Sequence, residues 1–354
     1  MGVDKIDIKE LAIELLIPLL AIIFSFIIGA IIVYTFGYDP IETYAALLQG
    51  AFGNLNRFAD TLLAATPLIF TGLAVAFAFR CGLFNIGGEG QLLVGGLAAA
   101  WVGTFDGLSV VVHVPLAVLA AAIAGAIWIA IPAVLKAFLG VHEVITTIMM
   151  NYIAYAMVAY LSLKVLANPG EIKTPPIEAS AYLWRFSNIL DIRSYMNLGF
   201  ILALLVLLFI YYLLWKTTIG YEIRAVGINP DAAEYGGISA PKNIILAMLI
   251  SGALAGLGGA ERTLGLYHYY IQGFSPGYGF TGIAVALLGR NHPFGILLAG
   301  ILFGALSNGR TFMNMAAGVP IDLVNIIQAI IIFFVAADLI FRQFIPNKSE
   351  GGVA

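Results

Sequence analysis

The run Gly82-Leu-Phe-Asn-Ile-Gly-Gly-Glu-Gly-Gln91 puts a carboxyl, two carboxamides and four glycines between two long apolar segments. A charged side chain in hydrocarbon costs roughly 2.5–3.5 kcal/mol on insertion scales, so its default reading there is functional. Each glycine lowers helix propensity by about 1 kcal/mol relative to alanine. Six of them between Gly82 and Gly96 predict a bent, broken or re-entrant stretch. Such backbone is tolerated at membrane depth only when buried in protein or lining a wet cavity. Asn85, Glu89 and Gln91 are therefore expected to line or gate a solute path. The plainer alternative is polar glue at a helix interface, or a position in the headgroup zone near Arg80.

A second constellation is Gly227-Ile-Asn-Pro-Asp-Ala-Ala-Glu-Tyr-Gly236. Asn229 suits an N-cap and Pro230 the first helical position. Asp231 then sits at the positive end of the dipole, and Gly236 with Gly237 ends the turn. So short a helix cannot stabilise itself and must dock, on its own chain or on a partner, which makes Gly227, Asn229, Pro230, Asp231, Glu234, Tyr235 and Gly236 candidate docking residues. Asn151 and Gln328 fall deep within apolar stretches, where an amide contacts solute or bonds another helix. Glu261 and Arg262 are adjacent, point differently from a helix and are expected at an outer interface. Tyr267-His268-Tyr269-Tyr270 reads as an interfacial aromatic belt. Gly252-x-x-x-Gly256 and Gly300-x-x-x-Gly304 read as close helix packing.

No catalytic constellation accompanies these residues. A P-loop is absent, His142-Glu143 lacks the second histidine of H-E-x-x-H, and no G-x-S-x-G elbow occurs. No catalytic residue, cofactor or metal site is expected. The single cysteine, Cys81, excludes an intramolecular disulfide.

The elements that must position these side chains follow from composition. Hydrophobic residues make up 61% of 354 positions and charged residues 10%, and the net charge of −3 offers nothing to nucleic acid. The chain is expected to be all-α, a polytopic membrane bundle of eight to ten spans. Candidate spans are 11–34, 60–79, 83–103, 115–136, 144–167, 196–215, 243–262, 277–290, 293–312 and 321–341. The first is longer than a signal-peptide core and reads as uncleaved. Ten of the 17 Lys and Arg fall on one side if the N-terminus is inside, which places both termini in the cytosol. The loop 216–242 is then cytosolic and the loop Ala167–Tyr195 is outside. As one transmembrane domain, residues 11–167 and 196–341 would form two five-helix halves of opposite orientation. Each half has a glycine-broken stretch, at Gly82–Gly96 and at Gly273–Gly282 around Pro276, and paired interruptions point to a midplane pathway. Prolines at Pro115 and Pro293 are expected to open the fourth span of each half.

Two of these stretches carry a family resemblance. Arg80–Gln91 and Arg224–Ile238, together with Gly279-Phe-Thr-Gly-Ile-Ala-Val-Ala-Leu-Leu-Gly289 and Pro293-Phe-Gly295, resemble permease subunits of ATP-binding-cassette importers for branched-chain amino acids, sugars and nucleosides. Phe-Asn-Ile-Gly-Gly-Glu-Gly-Gln is most similar to the nucleoside arm, which works with lipoproteins of the basic-membrane-protein type. The resemblance implies a multi-pass cell-membrane protein, a second and often different permease, cassette ATPase subunits and an extracytoplasmic binding lipoprotein. It makes the ATPase the partner of Asn229–Tyr235. A sugar permease and a self-sufficient ion-coupled transporter working through Glu89 are the competing expectations.

Overall fold

The computed structural model describes residues 8–168, 170–188 and 192–336. The helices in chain order are α1 (Ile8–Thr35), α2 (Pro40–Phe52), α3 (Leu55–Arg80), α4 (Gly88–Gly103), α5 (Val110–Leu139), α6 (Glu143–Tyr160), α7 (Gly199–Lys216), α8 (Thr218–Ile228), α9 (Pro230–Tyr235), α10 (Ala240–Glu261), α11 (Tyr278–Leu288), α12 (Pro293–Ala317) and α13 (Ile321–Ala336). π-helical turns extend α6 through Leu161–Leu166 and α10 through Arg262–Tyr267. Six described helices are long and apolar enough to cross a membrane. The all-α polytopic expectation holds.

Two of the expected spans change character. The third begins at Gly88 rather than residue 83 and has 16 residues, about 24 Å of helix against a hydrocarbon core of about 30 Å. The eighth has 11 residues, about 16 Å. Each follows an irregular glycine-containing segment where the sequence places its interruptions. Pro115 lies inside α5, not at its start, whereas Pro293 does open α12.

Contacts divide the chain into two units, residues 51–308 and residues 1–50 with 309–354. In the smaller unit α13 packs on α1, and the Tyr44 hydroxyl donates to the Phe26 carbonyl at 2.7 Å. Here α2 meets the last part of α1 at a bend of 119°. Its start is set by Asp39, whose carboxylate accepts from the N–H of Ile41 at 2.7 Å, with Pro40 at the first position. Lys5, Arg342 and Lys348, which enter the charge bias, and the end of the tenth expected span lie outside the described residues.

The larger unit is built on α3 and α10, with α5, α4 and α11 packed against them. Its sorting of residues is the reverse of a water-soluble helix. Along α5, Ala117, Ala121, Gly125 and Ile129 are buried, while Leu119, Ile123, Ile127 and Ile131 are exposed. In lipid, large apolar side chains lose nothing by facing outward, and small residues inside let backbones approach. A side chain on Gly252 or Gly256 would strike carbonyls of Gly125 and Ala121, and one on Gly304 would strike Thr61 and Ala65 of α3. Both small-residue patterns are packing, as expected.

Residues 174–183 are tied to the end of α10 and the residues just after it. Thr174 N–H donates to Tyr270 O at 3.0 Å, Ile177 to His268 O at 2.9 Å and Leu183 to Leu264 O at 3.0 Å. Tyr270 is consequently core, only 2% exposed, and His268 stacks on Tyr182 with centroids 3.7 Å apart. These two residues are packing elements under a loop and not an aromatic belt. Burial, then the adjacent Arg185 guanidinium, holds the His268 imidazole down to about 4.

Candidate functional site

From Cys81 to Gly87 the chain leaves the helical path, turning at Gly82 (φ 73°). Its unpaired backbone groups are met by one stripe of α6. Glu143 accepts from Phe84 N–H at 3.4 Å, and Thr147 from Ile86 N–H at 3.3 Å. Asn151 donates to Ile86 O at 2.9 Å and accepts from Gly90 N–H at 2.8 Å. The spacing i, i+4, i+8 puts all three on one helix face. Asn85 and Gln91 bond each other in both directions at 3.1 Å, and Asn85 also donates to Ser251 at 2.8 Å. Ser251 in turn donates to Ala74 O at 2.6 Å. The carboxamides Asn85, Gln91 and Asn151 are thus occupied in holding the broken segment at its depth.

The second half-length helix ends on the same spot. At the start of α11, Ser275 Oγ accepts from the N–H groups of Gly277 and Tyr278 at 3.2 and 3.1 Å. The next unsatisfied donor, Gly279 N–H, reaches Glu89 Oε2 at 2.7 Å. Only glycine fits there, because a β-carbon on Gly279 would strike the backbone N and Cα of Glu89. From this meeting point the two helices diverge. α4 leads to Gly103 beside Ile177, and α11 leads to the turn gripped by Arg80. Two helix N-termini, each with orphan N–H groups and a positive dipole end, therefore converge on one carboxyl. Glu89 is fully buried, and its Oε1 accepts no hydrogen bond in the structure, with the hydroxyls of Tyr155 and Ser275 beside the carboxyl. Tyr155 itself is 43% exposed.

Arg262 is the residue that the sequence reading misplaced. It is 3% exposed, and its Nε lies 2.6 Å from Oε2 of Glu261, itself 1% exposed. Its Nη2 donates to Leu63 O at 2.5 Å, and the guanidinium sits 5.7 Å from the ring of Tyr278, the first residue of α11. Asn197 completes the pair by donating to Glu261 Oε1 at 3.0 Å. The flexible arginine folds back on its neighbour, so adjacency does not separate them. The usable signal was an arginine inside a long apolar stretch, where a charge needs a partner.

At the Arg80 end, α8 buries Gly220, Ile223 and Val226 on its own chain, while α9 buries only Ala233. Asn229 caps α9 by accepting from Ala232 N–H at 3.0 Å, with Pro230 first and Gly237 in the left-handed region, as the sequence predicts. Asn229, Pro230, Asp231, Glu234, Tyr235 and Gly236 are all exposed, and a cleft of about 470 Å³ opens between α8 and α9. Gly227 faces inward, its backbone against Arg80, Cys81 and Gly82. Gln328 is half-exposed on α13 and belongs to the smaller unit.

The family described as branched-chain amino acid transport system, permease component, matches residues 57–336. The chain is 49% identical to the guanosine ABC transporter permease protein NupP of Bacillus subtilis, covering 96% of this chain and 98% of that protein. It is 40% identical to the nucleoside ABC transporter permease protein NupB of Lactococcus lactis, covering 94% of each. It is 34% identical to the glucose ABC transporter permease protein TsgB13 of Haloferax volcanii, covering 92% and 88%. No solved structure matches it. With most of its length matched, the chain belongs to the family of branched-chain amino acid transport system permease components.

Proposed function

We propose that the chain is the membrane-spanning permease of an ATP-driven importer of nucleosides in the cell membrane. The Arg80 end and both termini face the cytosol. The observation that carries this reading is α9, a capped turn with one buried residue and with Tyr235 97% and flanking Ile228 86% exposed. Apolar side chains left so bare at the end of a lipid-facing bundle mark a docking surface. An ATPase subunit is the partner, and ATP hydrolysis belongs to it. The nucleoside assignment rests on NupP and NupB, whose identity to this chain exceeds that of the glucose permease.

Solute passes near the point where α4 and α11 meet, and Glu89 is the gating group there. Asn85, Gln91 and Asn151 fix the geometry of that gate. The two segments that break before α4 and α11 support two oppositely oriented halves. A second permease and an extracytoplasmic binding lipoprotein complete the assembly. The test is uptake of radiolabelled nucleosides into vesicles holding this chain with its ATPase, second permease and lipoprotein. Uptake that requires ATP supports the reading. Flux through this chain alone, abolished by collapsing an ion gradient, refutes it.

A further inference from the structure

We infer that Arg80 is the positioning residue through which movement of the cytosolic helices reaches the midplane carboxyl. The inference rests on the reading of the chain as an ATP-driven permease. Arg80 sits at a fork. Its own backbone leads through 81–88 to Glu89. Its side chain crosses to the opposite end of α11, where Nε and Nη2 donate to Asn291 O at 3.0 and 2.9 Å and Nη2 reaches Arg290 O at 3.4 Å. The other end of α11 is held by Gly279 N–H on Glu89. Backbone, guanidinium, an 11-residue helix and one carboxyl therefore close a ring.

Two contacts join this ring to α8. At its Arg80 corner, Gly227 of α8 packs backbone to backbone, its Cβ position blocked by Arg80 O and Gly82 N. A second tie runs through Asn243, whose side-chain amide donates to Glu222 of α8 at 3.2 Å and whose backbone carbonyl accepts from Cys81 Sγ at 3.7 Å. The turn that Arg80 grips is itself strained. Arg290 and Asn291 both have positive φ, 53° and 52°, an arrangement that non-glycine residues keep only when their surroundings impose it. The guanidinium is fixed in aim by the Trp215 ring, 5.1 Å away, and Trp215 in turn stacks on Tyr211 and meets His292 at a tilt. A displacement of α8 cannot move the 80–82 turn without pulling on α11 and on the Glu89–Gly279 contact together.

The experiment compares Arg80→Lys and Arg80→Ala with the native chain in the complete importer, reading nucleoside uptake and ATP hydrolysis in the same vesicles. Copurified ATPase subunit and thermal midpoint report assembly. Lysine keeps the charge but lacks the fork that spans two carbonyls. Uptake per ATP hydrolysed falls about tenfold in Arg80→Ala and by a smaller factor in Arg80→Lys, with hydrolysis itself within about twofold of native. A ratio unchanged in both variants overturns the inference, and so does a parallel loss of uptake and hydrolysis in assembled complexes. If Arg80→Ala fails to assemble, Arg80→Lys decides alone, since a native ratio there also overturns it. Native vesicles whose uptake ignores ATP would instead refute the proposed function and not the role of Arg80.

Discussion

Replacing Glu89 separates its two duties. Its Oε2 satisfies Gly279 N–H, a donor at a buried helix start. Glu89→Leu fills the space but leaves that N–H without an acceptor where water is excluded. An orphaned buried donor costs about 1–3 kcal/mol, so about 2 kcal/mol is the expected loss, some thirtyfold in an equilibrium constant. Glu89→Gln presents a carbonyl oxygen to Gly279 and an amide to the hydroxyls of Tyr155 and Ser275, so its stability loss stays below about 1 kcal/mol. Thermal inactivation of the detergent-solubilised assembly, followed by binding of the ATPase subunit, reads stability. Uptake in vesicles reads function. Glu89→Leu should inactivate at clearly lower temperature than Glu89→Gln, while both lose uptake because the gating carboxyl is gone. Equal stability of the two variants would refute the helix-start argument, and full uptake by Glu89→Gln would refute the gating role.

Three further outcomes follow from particular contacts. Arg262→Leu leaves Glu261 as an uncompensated buried charge at a cost of about 3–5 kcal/mol. Little protein should then reach the membrane, and adding Glu261→Gln should recover part of it, as measured by quantitative blotting. Gly259→Ala puts a methyl against Leu92 O and within 2.6 Å of Gly96 N, both backbone atoms that cannot rotate away. Overpacking of that kind costs about 1–3 kcal/mol, visible as a lowered thermal midpoint, whereas Gly236→Ala, which meets nothing nearer than 3.2 Å, stays near native. His268 is held down to about 4 against an ordinary value of about 6.5, so the unfolded chain binds its proton first as pH falls. The contribution of the neutral imidazole is complete above about 6.5 and is lost as pH drops towards about 4. Protease nicking between residues 170 and 188 should therefore rise over that interval, and His268→Gln should flatten the dependence.

The ends of the helices were legible where local chemistry sets them. Asn229-Pro230 and Gly236-Gly237 bound α9 because a cap, a locked φ and a left-handed stop act within a few residues. Asp39-Pro40 opens α2 by the same chemistry, yet the sequence reading passes it over, since apolar run length dominates attention between spans. Glycine density foretold the break at 81–87, because backbone entropy is local. Which carboxamides line a path and which serve as ties was not legible. That distinction depends on α6 presenting Glu143, Thr147 and Asn151 to the break from some sixty residues away. The meeting of Glu89 with Gly279, and of Arg262 with Glu261 beside Tyr278, likewise depends on tertiary placement. Sequence periodicity carries no record of it.

The central claim is that the turn Asn229–Tyr235 is gripped by an ATP-hydrolysing partner on the cytosolic side. Because Cys81 is the only cysteine, a Cys81→Ala background carrying Tyr235→Cys offers one thiol on a fully exposed position. In intact cells that thiol should resist a membrane-impermeant maleimide added from outside. In inverted vesicles it should crosslink to the ATPase subunit with a yield that changes on ATP addition. Labelling from outside, or absence of the crosslink in a complex that transports, would contradict the account.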